Sequence, residues 1–382
     1  MRVFFNRSSR TDEGLKLSLR LLGDPDPSRD GLLLSALAPA AVALAAWRRW
    51  EASRADPSGD PVAARWLPLI GWHLDRSEVS DRSRHWLDDA RRGTWAANTR
   101  AWAATEPALD RLESEGIEYI VLKGAALAWT VYDAMALRPI GDVDVLVRPE
   151  VAARASALIE ADHWRSLHRS PSSDLGALHA INYTRAPYGA LDVHRYALRE
   201  CCWPEADAGF WQRSVRATIG GRSVRVLAPP DQLLHVCVHG LRWNPVHSSH
   251  WVADAARIIA HAGATLAWPV LVAEARRRDL AFQVSEALRL VRRVTDAPVP
   301  DAVLSALGSG RVSWASRIEC RVKARPLHSV GGLLLMWCDW RRLPKGPSSI
   351  GFARYLAHSM RLASPWELVP RAWQIVRHGD PC

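Results

Sequence analysis

Residues 138–147, RPIGDVDVLV, place two carboxylates, Asp142 and Asp144, in a run that otherwise has the texture of a buried strand: Ile140, Val143, Val145, Leu146 and Val147. In a strand alternate side chains share a face, so both acids project to one side and Val143 and Val145 to the other. Two carboxylates so close repel, and taking them out of water is costly without a cation to offset their charge. A divalent metal supplies that cation, and magnesium binds carboxylate oxygens while leaving the rest of its shell to water and substrate phosphates. The bland alternative is a strand end with both acids in solvent, and the flanking sequence decides between the two.

Two flanking features favour the metal. IEYIVLKG, residues 117–124, is a short β-branched run that stops at a glycine before the helical stretch ALAWTVYDAMAL. Such a turn aims backbone N–H groups at an anion and suits a phosphate, with Lys123 and Gly124 beside it. Further on, LDVHRYAL sets Asp192 on another strand, with Leu191 and Val193 facing the opposite way and His194 on the same face as the acid. A third carboxylate serves metal-assisted phosphoryl transfer, either by holding a second ion or by orienting and deprotonating an acceptor.

The rest of the chain sets the frame. At 382 residues, 48% apolar and 24% charged, it is long enough for two folded domains. From Thr11 to about Gly116 the periodicity is helical, with Asp12 and Glu13 opening a helix that carries Leu15 to Leu22 and a long helical pattern over 81–115. Strand, helix, strand and helix follow from Ile117. A hairpin over 177–198 turns at Pro187-Tyr188-Gly189, one short strand is expected in SVRVLAP, and Pro229 starts a series of helices that runs to the C-terminus. The expected organisation is an N-terminal helical region over 1–116, a core over 117–228 and a C-terminal helical domain over 229–382.

GLLLSALAPAAVALAAW, residues 31–47, is shorter than the ~20 residues of a membrane span and is interrupted by Pro39, so it reads as a buried helix. The start lacks the apolar stretch of a signal peptide. Six cysteines without C-x-x-C pairs or regular spacing give neither a zinc ribbon nor a disulfide framework, and a cytoplasmic location is expected. Only Lys16, Lys123, Lys323 and Lys345 are lysines among 50 basic residues, the arginine bias of a GC-rich, bacterial genome. The net charge of +10 favours an anionic partner, and residues 311–380 hold twelve basic against four acidic side chains, which reads equally as a phosphate-attracting face or as solvated helix faces. No nucleic-acid-binding module is visible, so a nucleic-acid partner ranks last.

The ordered series IEYIVLKGAAL, LRPIGDVDVLV, LDVHR and PPDQLLHVCVHG with WVADAARII resembles the uncharacterised bacterial nucleotidyltransferase family within the DNA polymerase β superfamily. The resemblance covers roughly residues 80–380 and is closest over 117–262. It implies an α+β fold, a polymerase-β-like core of a small mixed sheet with flanking helices between N-terminal and C-terminal helical regions. It also implies Mg2+, two ions, held by Asp142, Asp144 and Asp192 as catalytic and metal residues, with Gly124 in the turn that cradles a triphosphate. Lys123, Gly124, Ala125 and Arg138 are the expected nucleotide contacts. The superfamily usually has glycine or serine where this chain has Ala125, which removes one side-chain contact to phosphate and leaves the backbone contacts.

Asp254, in WVADAAR, reads either as an acid facing the site or as an ordinary helix acid, Arg138 as a phosphate contact or a loop brace, and His194 as a helper or a packed ring. His235 and His239, one helical turn apart, read as packed histidines rather than ligands. The implied function is magnesium-dependent transfer of a nucleoside monophosphate from an NTP, ATP foremost, to a small-molecule or peptide acceptor, as in natural-product tailoring. The alternative is a non-catalytic nucleotide-binding or partner-binding protein of the same fold.

Overall fold

The computed structural model describes residues 27–53, 60–167, 179–241, 249–309, 314–323, 329–342, 351–360, 362 and 364–370. The helix expected from Asp12 onward lies outside the described residues. The chain divides into two compact units: residues 1–94, 136–138 and 236–326 form one, and residues 95–135, 139–235 and 327–382 the other. The division falls inside the long helix Asp81–Ser114, between Thr94 and Trp95.

The first unit is helical. The alanine-rich stretch breaks at Pro39 into helices Pro27–Leu37 and Ala40–Ala52, as a proline lacking an N–H dictates. Leu32, Leu33, Ala43 and Trp47 are buried there, and among the described residues no helix is long and apolar enough to cross a membrane. Helix Pro61–His73 starts on Asp60, whose Oδ1 accepts the N–H groups of Val62 and Ala63 at 2.9 and 3.1 Å. Helix Ala281–Thr295 buries Val284, Ala287, Leu288 and Val291, the spacing of one helical face, and ends where Asp296 turns left-handed at φ 53°.

The second unit holds a mixed seven-stranded sheet, the α+β architecture expected from the sequence. Its strands are β1 (Tyr119–Leu122), β2 (Val143–Val147), β3 (Arg165–Ser166), β4 (Ala180–Arg185), β5 (Gly189–His194), β6 (Val215–Ile219) and β7 (Arg222–Val226), in the order β3-β4-β5-β2-β1-β7-β6. β2 lies antiparallel to β1 and parallel to β5, and β1 lies parallel to β7. Central β2 is buried along its whole length, which explains its unbroken apolar run around one aspartate. Val121, Val143, Val145, Leu191, Val193 and Val226 share one core with Leu109 and Leu112 of the long helix and with Ala155 and Ile159 of helix Ala152–Ala161. Fully burying each of these larger side chains contributes roughly 1.5–3 kcal/mol.

One local expectation is corrected. ALAWTVYDAMAL is not one helix: helix Lys123–Thr130 stops, and a short 3-10 turn, Met135–Leu137, follows. Buried Asn98 of the long helix explains the break, because its Nδ2 donates to the Met135 carbonyl at 2.7 Å and its Oδ1 accepts the Ile140 N–H at 3.0 Å, fixing both ends of the segment. The short strand expected in SVRVLAP is present as β7, and β6, which the sequence reading missed, pairs with it in a hairpin whose Gly220-Gly221 turn has φ 55° and 87°.

Candidate active site

The parallel β2–β5 register sets Asp144 opposite Asp192, while Leu122 of β1 pairs with Asp144 and Asn182 of β4 with Asp192. Neighbouring strands thus present both carboxylates on one face, with Val143, Val145, Leu191 and Val193 on the other. His194 lies two residues beyond Asp192 and returns to that face. Lys123 follows β1 directly, in the left-handed region at φ 48°, a conformation that costs a non-glycine residue on the order of 1 kcal/mol and is typical of functional turns.

These groups form one buried cluster. The Lys123 ammonium pairs with Asp144 Oδ1, to which His194 Nε2 donates at 2.9 Å. An ionised carboxylate only accepts, so in the metal-free cluster the proton of neutral His194 sits on Nε2, and ligation of a cation by that nitrogen would move the proton to Nδ1. Lys123 Nζ stands 3.3 Å from the same nitrogen. Burial and the adjacent ammonium lower the imidazole pKa, which keeps the ring neutral. Burial alone would raise the Asp144 carboxyl, but Lys123 and the His194 hydrogen bond outweigh it and hold Asp144 well below the usual carboxylate range. Burial likewise opposes the Lys123 charge, and Asp144, Asp142 and Asp192 more than restore it.

Among the described residues no basic side chain forms an ion pair with Asp192, although the Lys123 charge reaches it. Burial, then the charges of Asp144 and Asp142, push its pKa up to about 7, against the charge of Lys123 and a hydrogen bond from Asn182. A cluster with one satisfied and one frustrated carboxylate lacks positive charge. Asp144, Asp192 and His194 each offer a ligand atom, all within 4.8 Å of one another, which fits a single divalent cation. The two carboxylates suit Mg2+ or Mn2+, and the imidazole adds a nitrogen donor that Mn2+ accepts more readily.

The other expected residues are placed as follows. Asp142 precedes β2, is exposed and stands outside the Asp144–Asp192–His194 group, although its charge acts on Lys123 and Asp192. Gly124 and Ala125 lie in the first turn of helix Lys123–Thr130, with the Ala125 methyl in the hydrophobic core. Arg138 Nε and Nη2 donate to Asp254 Oδ1 and Oδ2 at 2.8 and 2.9 Å, a bidentate pair only 11% and 5% exposed. His235 is buried and bonds the Ala197 carbonyl at 3.0 Å, whereas His239 is exposed. Asn182 and Asn98 escaped the sequence reading; counting back across the Pro187 turn from Asp192 would have found Asn182.

Residues 62–296, which contain every residue of this cluster, match the model of an uncharacterised nucleotidyltransferase family, and the chain belongs to that family. Among solved structures, an antigenic nucleotidyltransferase-like protein from Paracoccidioides brasiliensis is similar at 16% identity over 54% of this chain and 92% of that one, with a TM-score of 0.35. No curated protein matches the chain.

Proposed function

We propose that the protein transfers a nucleoside monophosphate from an NTP, ATP foremost, to a nucleophile on a small molecule or peptide, with Mg2+ held by Asp144, Asp192 and His194 and Asp142 at the margin. The observation that supports this reading is the register pairing of Asp144 and Asp192 beside His194, within a chain of a nucleotidyltransferase family. A divalent cation at this cluster supplies charge neutralisation for the triphosphate and polarises a phosphoryl oxygen. Lys123 and His194 keep Asp144 ionised and fixed. In the metal-free cluster the Asp192 pKa is pushed up to about 7, so a cation joining this carboxylate would favour its ionised form, and the ionised carboxylate faces the acceptor as a base. As the acceptor oxygen bonds the α-phosphorus, its proton passes to the Asp192 carboxylate, the α–β P–O bond breaks and pyrophosphate leaves.

Product analysis tests this reading. With Mg2+ and each of the four common NTPs, and water standing in as the acceptor, the wild-type protein releases pyrophosphate and the nucleoside monophosphate from one of them, and Asp144→Asn lowers the rate by more than about 100-fold. Release of inorganic phosphate with the diphosphate would instead mark attack at the γ-phosphorus and contradict it. A non-catalytic nucleotide binder is the second reading, favoured by the lysine already neutralising Asp144, and it predicts nucleotide binding with neither product.

A further inference from the structure

Lys123 is out of character for a phosphate contact in one respect: its ammonium is already engaged. It pairs with Asp144 and lies 3.3 Å from His194 Nε2, so it touches two of the three groups that fit a divalent cation. An ammonium and a divalent cation cannot share those two ligands, because like charges at contact distance in a buried site repel strongly. The three residues also differ in freedom. Asp144 and His194 are 1% and 2% exposed and fixed on central strands, whereas the Lys123 side chain is 19% exposed, on a flexible four-carbon stem at a strand-to-helix turn. Only Lys123 has a way out.

Building on the metal-site reading above, we propose that Lys123 is a resident counter-ion for Asp144 that a divalent cation displaces, releasing the ammonium toward the incoming triphosphate. The same positive charge then serves twice. Before loading it keeps a buried carboxylate compensated, and after loading it becomes a phosphate contact that exists only when the metal is in place. Metal entry without nucleotide is opposed by the ion pair, and metal–nucleotide entry is favoured because the triphosphate receives the displaced ammonium.

Mn2+ titration without nucleotide, followed by electron paramagnetic resonance, tests this on the full chain. Lys123→Met is expected to bind Mn2+ at least tenfold tighter than wild type, and Lys123→Arg no tighter than wild type. Unchanged or weaker Mn2+ binding by a folded Lys123→Met overturns the proposal. Asp144→Asn serves as the separate control, since Mn2+ binding that survives it contradicts the metal site itself, whatever Lys123 does. The wild-type protein gives an answer that does not depend on the variant folding. With four lysines in the chain, trace acetylation and peptide mapping report Lys123 cleanly. Mn2+ is expected to raise its labelling several-fold relative to metal-free protein and added ATP to suppress it again, and labelling indifferent to Mn2+ overturns the proposal.

Discussion

Asp144 is a fully buried carboxylate held by a lysine and a histidine, and breaking such a set by removing one partner is more damaging than never having built it. His194→Ala leaves the Lys123–Asp144 pair but deletes one donor to Oδ1 and one candidate ligand. It is expected to weaken Mn2+ binding about 10–100-fold with a smaller loss of stability, which calorimetry and thermal melting separate. Arg138 offers the opposite pattern. Its Nε and Nη2 are bound to Asp254, so Arg138→Lys, which cannot reproduce the bidentate geometry, is expected to lower unfolding free energy by about 1–3 kcal/mol in urea titration. A large rise in nucleotide KM with unchanged stability would instead make Arg138 a phosphate contact. The acids at 142, 144 and 192 were legible as residues because Asp144 and Asp192 sit in apolar strands and Asp142 stands two residues before Asp144, at the entry to the same strand. Their inequality was not: alternation gives a face, but only the strand end decides that Asp142 meets solvent while Asp144 is sealed under Lys123.

At the level of elements, β1, β2 and the β4–β5 hairpin announced themselves by β-branched runs ending in glycine or turning at Pro187. β6 did not, because its exposed Val215, Arg216 and Thr218 carry no apolar stripe. The Gly220-Gly221 pair was the available signal. A Cβ at Gly220 would lie 2.2 Å from Trp102 Nε1, and φ is positive there, so Gly220→Ala is expected to destabilise the protein by more than about 1 kcal/mol. Asn98 matters for a different reason. It fixes both ends of the segment that leads into β2, so Asn98→Ala leaves the Met135 carbonyl and Ile140 N–H without that partner. A loss of about 2 kcal/mol in chemical denaturation is expected, together with a fall in kcat larger than the rise in KM. Such a link between residues 42 apart in the chain is invisible to periodicity, which reports only neighbours along an element.

Across the whole molecule, nineteen tryptophans are enough to fill a core or a groove with large rings, and Trp47, Trp66 and Trp102 are each at most 3% exposed. Trp66 stacks on His250 with ring centroids 4.8 Å apart, and His250 Nε2 bonds the Arg65 carbonyl at 3.2 Å. Burial, then the charge of Arg138, with Arg65 adding and Asp254 opposing, pushes the His250 pKa down to about 3. Its folded pKa lies below the unfolded value, so its neutral form stabilises the protein fully above about pH 6.5, and that contribution fades as pH falls toward 3. The slope is up to about 1.4 kcal/mol per pH unit for one proton. Asp192, raised to about 7, acts with the opposite sign, losing its contribution as pH rises from the ordinary carboxylate range toward 7. The difference between wild type and His250→Phe therefore isolates the histidine: the gap in stability is expected to shrink steadily below pH 6.5, and a gap constant with pH would mean that His250 titrates normally.

The central claim is that Asp144, Asp192 and His194 bind a cation through which this member of a nucleotidyltransferase family takes up its donor. The most direct measurement is calorimetric titration of ATP into the wild-type protein and into Asp144→Asn, each with and without Mg2+. Binding is expected to be saturable, to require Mg2+ in the wild type and to be lost in the variant while the fold persists. ATP binding of equal strength without Mg2+, or undiminished in Asp144→Asn, would contradict the claim.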